Sequence, residues 1–198
     1  MVKSQYRYAV EIGIFGRVRL SGPITHSYER NNLVSSPQTQ PADKRQLLRH
    51  TVATIAYRGG KTVNGVPDGF NAFKVNETSR TPEQILAHIG DLFDWALSIA
   101  SGDQKWHNST PQEWDAEVTR FFATLEKFDA YLASESDLHC APEKLFQGPI
   151  ADALTHVGQL AMLRRMAGAP IKGENYFVAE IEAGRVGADQ SGKRFEFD

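Results

Sequence analysis

Helix-start signals followed by apolar stripes constrain the fold of this chain more than any other feature. At Thr81-Pro82-Glu83-Gln84, a threonine precedes a proline and a glutamine follows three residues later, which is a capping box with proline at the first helical position. Apolar residues then recur at three- and four-residue steps up to Ser101-Gly102. The same signal at Thr110-Pro111-Gln112-Glu113 predicts another long helix, which reaches roughly residue 138.

Two further segments complete a set of four amphipathic helices. One begins at Pro41 and carries an apolar stripe that ends at Gly59-Gly60. The other begins at Gly148-Pro149 and ends near Gly168-Ala169-Pro170. One long connection and otherwise short links join these segments. We therefore predict an all-α fold, a four-helix bundle that covers residues 41–170.

The segments on either side of the predicted bundle lack this periodicity. Residues 1–40 are predicted to form an irregular N-terminal arm, and residues 171–198 an irregular C-terminal tail. With 198 residues, the chain is long enough for one apolar core. Its 41% hydrophobic and 23% charged residues are ordinary for a globular protein. The predicted organisation is one bundle with two appended segments.

Charge and hydropathy argue against two classes of partner. The net charge is −2, so the sequence predicts no broad basic surface of the kind that sequence-independent nucleic-acid binding requires. No basic and apolar leader opens the sequence, and no run of about 18 apolar residues could span a bilayer, which predicts a cytoplasmic protein without a membrane partner. The single cysteine, Cys140, leaves no Cys-x-x-Cys pair for a thiolate site, so any metal would depend on nitrogen and oxygen ligands.

Three residues in two of the predicted helices form a candidate metal site. His88 lies in Ala87-His88-Ile89-Gly90-Asp91-Leu92, and Asp152 and His156 lie four residues apart in the last helix. That spacing places the carboxylate and the imidazole on one helix face, with Cβ atoms about 5–6 Å apart. A further imidazole from a facing helix would give three ligands and leave coordination positions open. Such a layout is typical of reactive metal centres, because structural zinc sites usually close all four positions.

Less specific interpretations of the same residues stay open at this point. A lone histidine on an apolar stripe is more often a core residue, and an Asp–His pair at this spacing is more often a surface ion pair. An ionised carboxylate beside a core is costly unless it is paired or bound to a metal, which favours the metal site. Two imidazoles and one carboxylate suit Zn²⁺, Ni²⁺ or Fe²⁺. Asp91, three residues after His88, could orient that imidazole through a hydrogen bond or be a charge on the helix surface. Gln159, three residues after His156 and on the same side, could contact a ligand or cap a polar gap.

The motifs around these residues resemble the DinB/YfiT-like superfamily of metalloenzymes. The likeness is carried by His88-Ile89-Gly90-Asp91-Leu92 and by Asp152-x-x-x-His156-Val157-Gly158-Gln159-Leu160, and it covers residues 41 to about 170. The resemblance implies a four-helix bundle with a three-ligand site, and it implies homodimers. The common family pattern has a histidine where this chain has Asp152. A carboxylate there resembles the branch that contains mycothiol-dependent maleylpyruvate isomerase, in which a His, an acidic residue and a His hold zinc.

The resemblance also implies a chemistry, because characterised relatives activate a low-molecular-weight thiol on the metal for isomerisation or S-transfer. We therefore predict a divalent-metal-dependent thiol transferase or isomerase that acts on a small-molecule electrophile. Zn or Ni is the expected metal, with Fe as the alternative. A metal-activated hydrolase that uses bound water is another hypothesis, and a non-catalytic, stress-related bundle that binds a metal or a ligand is a third. No catalytic role beyond metal binding is assigned to any residue.

Overall fold

Helices form nearly all the regular structure of residues 41–197, the part of the chain that the computed structural model describes. In chain order they are α1 (Pro41–Val63), α2 (Pro82–Ala100), α3 (Trp114–Ala133), the short α4 (Pro142–Leu145) and α5 (Ala151–Met166). Within the described range there is no β-sheet, and a single isolated bridge joins Glu174 to Glu196. The prediction of an all-α bundle is confirmed. The predicted N-terminal arm lies outside the described residues, and none of the helices within them is both long and apolar enough to cross a membrane.

The four long helices pack in a ring, and their order decides which side chains can meet. Both α1 and α2 pack mainly against α3 and α5, so α1 and α2 lie diagonally across the bundle. The connection between them, residues 64–81, therefore crosses the end of the bundle. Phe70 buries its ring there, and Phe73 packs partly buried against the core. Because α2 and α5 are neighbours, side chains from both can line one site.

The start of α2 follows the sequence prediction. The Gln84 amide donates a hydrogen bond to Thr81 Oγ1 at 3.2 Å, and the Thr81 amide donates one to Gln84 Oε1 at 3.0 Å. These two bonds satisfy amides that the first helical turn leaves without partners. The helix ends at Ala100, and Gly102 follows with a left-handed φ of 84°. The buried side chains of α2 recur at helical spacing and include Ile85, Leu86, Ile89, Leu92, Phe93 and Ala96.

The end of α1 and the start of α3 differ from the prediction. α1 continues through Gly59-Gly60 to Val63, because these glycines are buried and allow α3 to approach closely. A Cβ atom at Gly59 would lie only 2.5 Å from Phe121 Cζ. α3 begins at Trp114, four residues after Thr110, because the Gln112 amide donates instead to the buried Glu117 carboxylate at 2.8 Å. α3 also ends earlier than predicted, where Ser134 adopts an extended conformation.

The last predicted helix is preceded by additional helical structure. Helix α4 begins at Pro142 and continues into a π-helical turn, Phe146–Ile150, which leads directly into α5. Gly148 departs from helical geometry within that turn, with φ −91° and ψ −105°. Pro149 follows it and has no N–H to donate, so the regular hydrogen-bond ladder is interrupted at this point. The end of α5 agrees with the prediction, since Gly168 has a left-handed φ of 77° just beyond Met166.

The C-terminal tail, residues 171–197, attaches to α1 through a buried ion pair. Lys61 Nζ lies 2.7 Å from Glu174 Oε2, and the Tyr57 hydroxyl donates to Glu174 Oε1 at 2.6 Å. The Glu174 side chain is fully buried. Burial raises the pKa of Glu174, but hydrogen bonds from Lys61, Tyr57 and the Phe195 amide outweigh it, and the net pKa lies below the ordinary value. The tail is therefore held by a carboxylate that stays ionised.

Gly59→Ala is expected to lower the free energy of unfolding by about 1–3 kcal/mol, because the added methyl group must displace the buried Phe121 ring. Gly158→Ala is the matched control. Gly158 is also helical, but nothing lies within 4 Å of a Cβ atom there, so this variant should gain up to about 1 kcal/mol of helix propensity. Urea titrations of the three proteins measure both effects. Equal stability of the two variants would contradict the close packing of α1 on α3.

Glu174→Gln is expected to remove part of the acid sensitivity of the fold. Because the folded-state pKa of Glu174 lies below its ordinary value of 4.5, the unfolded chain takes up a proton at higher pH than the folded chain. The stability that this carboxylate contributes is thus present well above pH 4.5 and is lost as the pH falls through the lower, folded-state pKa. The variant should lose about 1–3 kcal/mol at neutral pH.

Denaturation series between acidic and neutral pH test this expectation. Glu182→Gln is the matched control, because Glu182 is exposed and forms only a surface ion pair with Arg185. The control should keep both the stability and the pH profile of the parent protein. A Glu174→Gln variant with the parent's stability and profile would show that the buried ion pair does not hold the tail.

Candidate metal centre

The structure brings His88, Asp152 and His156 together. His88 comes from α2, and the other two residues come from one face of the neighbouring α5. One potential ligand atom from each residue lies within 4.8 Å of the other two. Asp152 Oδ1 is 3.4 Å from His156 Nε2, and Asp152 Oδ2 is 3.7 Å from His88 Nε2. The carboxylate therefore faces both imidazoles, and both present Nε2 to it.

These separations suit a shared cation better than direct bonds between the side chains. A charge-assisted hydrogen bond between an imidazolium and a carboxylate spans about 2.7–2.9 Å, which is shorter than either contact. Ligand atoms arranged tetrahedrally around a metal at about 2.0–2.1 Å lie about 3.3–3.5 Å from one another. The contact of 3.4 Å with His156 falls in that range, and the contact of 3.7 Å with His88 is close to it. The three residues could therefore hold a divalent metal ion.

Burial keeps one ligand imidazole free of a proton. The side chains of His88 and His156 are 19% and 11% exposed, whereas that of Asp152 is 47% exposed. Burial lowers the pKa of His88, and electrostatic interactions with His156 and Arg80 lower it further. A neutral imidazole has a lone pair that a metal can bind, whereas an imidazolium has none. The local electrostatics therefore favour the form of His88 that binds metals.

Gln159 fixes the orientation of His156. Its side-chain oxygen, Oε1, lies 2.8 Å from His156 Nδ1. When that oxygen accepts a hydrogen bond from Nδ1–H, the lone pair lies on Nε2, the atom that faces Asp152. Hydrogen bonds of this kind behind a ligand imidazole are typical of metal sites. Gln159 therefore lies beside a candidate ligand, and its influence on metal binding stays a prediction.

Asp91 has partners other than His88. Its carboxylate accepts hydrogen bonds from the Ser109 amide at 2.9 Å, from the Ser109 hydroxyl at 2.6 Å and from Arg120 at 2.5 Å. His107 Nε2 lies 3.1 Å from the same carboxylate. The predicted hydrogen bond to His88 is not formed, because the side chain faces α3 and the loop before it. Burial raises the pKa of Asp91, but the bonds from Ser109 and Arg120 outweigh it and the net pKa is lowered.

A second group of acidic and histidine side chains, Asp91, Asp94 and His107, is also close enough to hold a cation. Arg120 already lies between the two carboxylates, with Nη2 at 2.5 Å from Asp91 and 2.9 Å from Asp94. Gly90 makes room for it, since a Cβ atom there would lie 2.9 Å from Arg120 Cζ. The guanidinium supplies the positive charge that a metal would bring. We interpret this group as a support that joins α2 to α3.

Two hollows meet at the candidate metal centre. A groove of about 590 Å³ is lined by residues of α5 from Asp152 to Met166 and by residues at and before the start of α2. A second hollow of about 280 Å³ is lined by Trp95 and Trp106, and His88 and Asp152 line both. The Trp106 ring meets the His88 ring edge-on, with centroids 5.7 Å apart. The sequence analysis did not identify Trp106. The only local sign of its role is that two ring side chains, Trp106 and His107, stand next to each other in an otherwise polar loop.

Asp91→Asn is expected to loosen the loop of residues 102–113, because a neutral amide cannot accept the bonds from Ser109 and Arg120 as strongly. The expected loss is about 1–3 kcal/mol of unfolding free energy, together with faster tryptic cleavage after Lys105. Asp137→Asn, at an exposed loop position, is the matched control and should change neither. Cleavage of the Asp91 variant at the parental rate would contradict the role of Asp91 as an anchor.

Comparisons with known proteins leave this centre to be interpreted from its own geometry. The chain has no significant match among protein-family models, curated proteins or solved structures. Membership of the DinB/YfiT-like superfamily therefore stays a prediction from the motifs around His88 and His156. The helical bundle and the group of three potential ligands do not depend on that membership.

Proposed function

We propose that this protein is a divalent-metal-dependent enzyme in which His88, Asp152 and His156 hold the metal. The observation that carries the proposal is the convergence of two Nε2 atoms on one carboxylate, at 3.4 and 3.7 Å, beside two hollows. Three protein ligands leave coordination positions for a substrate, in contrast to closed structural sites. Zn²⁺ suits the separations, and Ni²⁺ and Fe²⁺ accept the same nitrogen and oxygen ligands.

The reaction that we propose uses a low-molecular-weight thiol. The thiol either transfers its sulfur to an electrophilic substrate or catalyses the isomerisation of a double bond in that substrate. A divalent metal at this position would lower the pKa of a thiol bound to it, so that the sulfur reacts as a thiolate near neutral pH. In S-transfer, the thiol proton passes to solvent, the sulfur forms a bond to an electrophilic carbon, and the leaving group departs with the bonding electron pair. In isomerisation, the sulfur adds to an activated double bond and is expelled after rotation. Neither reaction needs an oxidant or a reductant.

Two features of the described residues support a two-substrate reaction over hydrolysis by water alone. The groove and the Trp-lined hollow both reach His88 and Asp152, so two molecules can approach the same centre separately. The chain's one cysteine, Cys140, lines neither hollow, and burial raises the pKa of its thiol. The reacting thiol would therefore come from a cosubstrate, in agreement with the DinB/YfiT-like resemblance.

The residues around the ligands have separate tasks in this proposal. Gln159 holds the His156 ring so that Nε2 faces the centre. Trp106 packs its ring edge against His88 and limits the access of water to that imidazole. Less water around charged groups strengthens the electrostatic interactions between them. Asp152 is the most exposed of the three ligands, so the substrates would meet its side of the centre.

Untagged protein is expected to contain about one Zn or Ni per chain, and Asp152→Ala and His156→Ala should each abolish that content, because two remaining ligands bind weakly. His50→Ala, at an exposed position on α1, is the control and should keep the metal. His107→Ala tests the second acidic group and should also keep it. Elemental mass spectrometry measures the content, and circular dichroism verifies folding. Metal retained in both ligand variants, or lost in His107→Ala, would contradict the proposal.

Activity assays on the metal-loaded protein, with and without an added thiol, then distinguish the hypotheses about the reaction. Products that form only when a thiol is added would identify a thiol transferase or isomerase. Turnover of an ester or amide without a thiol would identify a hydrolase, and a bound metal without any turnover would favour the non-catalytic bundle.

The Gln159→Leu variant should still bind the metal, but roughly 10- to 100-fold more weakly, because it lacks the side-chain oxygen that contacts His156 Nδ1.

A further inference from the structure

The groove beside the candidate metal centre is lined by an arginine that has no partner among the described residues. Arg80 lines the groove and immediately precedes Thr81, the N-cap of α2. Among residues 41–197 it forms no hydrogen bond and no ion pair. Among the described residues, the only acidic side chain that lines the groove is Asp152, which already faces the two imidazoles. No described residue therefore occupies the Arg80 guanidinium, and it can bind an anionic group that enters the groove.

The charges of the groove favour an anionic group at Arg80 once a metal and a thiolate are bound. An imidazole nitrogen that binds a metal carries no proton, so in the loaded centre only Arg80 and Asp152 are charged among the side chains that line the groove, and their charges cancel. A divalent metal then adds two positive charges, and a thiolate at the metal removes one of them. One positive charge stays unbalanced. A carboxylate on Arg80 would balance it, and the planar guanidinium can bind a carboxylate through two parallel hydrogen bonds.

The side chains that line the groove indicate what kind of chemical group fits between Arg80 and the three metal ligands. His88 lies six positions after Pro82 in α2, which corresponds to about 9 Å of helix rise. Apolar side chains line the groove over this distance, and they include Ile85, Leu163, Met162 and Met166. Met162 and Met166 are 53% and 51% exposed, although large apolar side chains are normally covered. Methionine adapts its shape to apolar ligands, so these two residues are suited to cover a flexible hydrocarbon.

We propose that the groove binds a small thiol with an apolar body and a terminal carboxylate. The carboxylate lies on Arg80, the apolar body lies on Met162 and Met166, and the sulfur lies at the three metal ligands. The position of the sulfur rests on the proposed metal centre, whereas the contact with Arg80 does not. The groove volume of about 590 Å³ falls within the usual range for small-molecule sites. One arginine suits a single carboxylate better than a chain of phosphates, which would need several cations.

Two thiol probes, 6-mercaptohexanoate and 6-mercaptohexanol, differ only in their terminal group, which is a carboxylate in the first and a hydroxyl in the second. Calorimetric titration of each into Zn²⁺-loaded protein should show about tenfold tighter binding of the carboxylate, a preference of about 1.4 kcal/mol. Arg80→Gln should abolish the preference without weakening the binding of the alcohol, and Arg80→Lys should retain part of it. Arg165→Gln, which removes an exposed arginine of α5 that does not line the groove, is the matched control and should keep the full preference.

The same titrations on metal-free protein distinguish this inference from the proposed function. If the protein takes up no Zn²⁺ but metal-free protein still prefers the carboxylate in a manner that depends on Arg80, the metal centre fails and the Arg80 site stands. If Zn²⁺ binds but the two probes bind equally, the Arg80 site is wrong and the metal centre stands. A preference that persists in Arg80→Gln, or no binding of either probe, also overturns the inference.

Discussion

The burial of α2 between α3 and α5 is the constraint on which the candidate centre depends. α2 directs His88 toward α5 and Asp91, three residues later, toward α3. A step of three residues along a helix turns by about 300°, so the directions of these two side chains differ by about 60°. The packing of α2 against α3 and against α5 therefore sets both directions. A rotation that exposed Ile85 or Ile89 would cost about 1.5–3 kcal/mol for each side chain. Apolar burial, and not the polar site, therefore secures the position of His88.

The two groups of carboxylates and histidines beside α2 differ in the source of their positive charge. Asp91 and Asp94 share the guanidinium of Arg120, which is permanently charged. Asp152 has no arginine or lysine partner in the described part of the chain. Its carboxylate faces His88 and His156 and accepts a 3.4 Å hydrogen bond from the Thr155 hydroxyl. Burial lowers the pKa of His88, so this imidazole does not supply a positive charge near neutral pH. The first group thus has a permanent cation from the protein itself, whereas the second has none among the described residues and could accept a metal ion.

Interactions within four residues were predictable from the sequence, whereas those between helices were not. The capping box at Thr81 and the shared face of Asp152 and His156 depend only on local spacing, and both are observed. The continuation of α1 through Gly59 depends on Phe121 of another helix, so a local signal for a helix end was misleading. Trp106 lies in a loop without periodicity, and its place beside His88 is set by contacts that no spacing rule describes.

The two hollows have different physical supports, and this difference bears on how the centre could admit two molecules. Much of the groove is lined by α2 and α5, whose mutual packing is apolar. The Trp-lined hollow depends on the loop of residues 102–113, which Asp91 holds through Ser109 and His107. Segments held by a few polar contacts open at a lower free-energy cost than packed helices. The loop beside Trp106 is therefore expected to open at a lower free-energy cost than the α2–α5 packing that positions His88, Asp152 and His156.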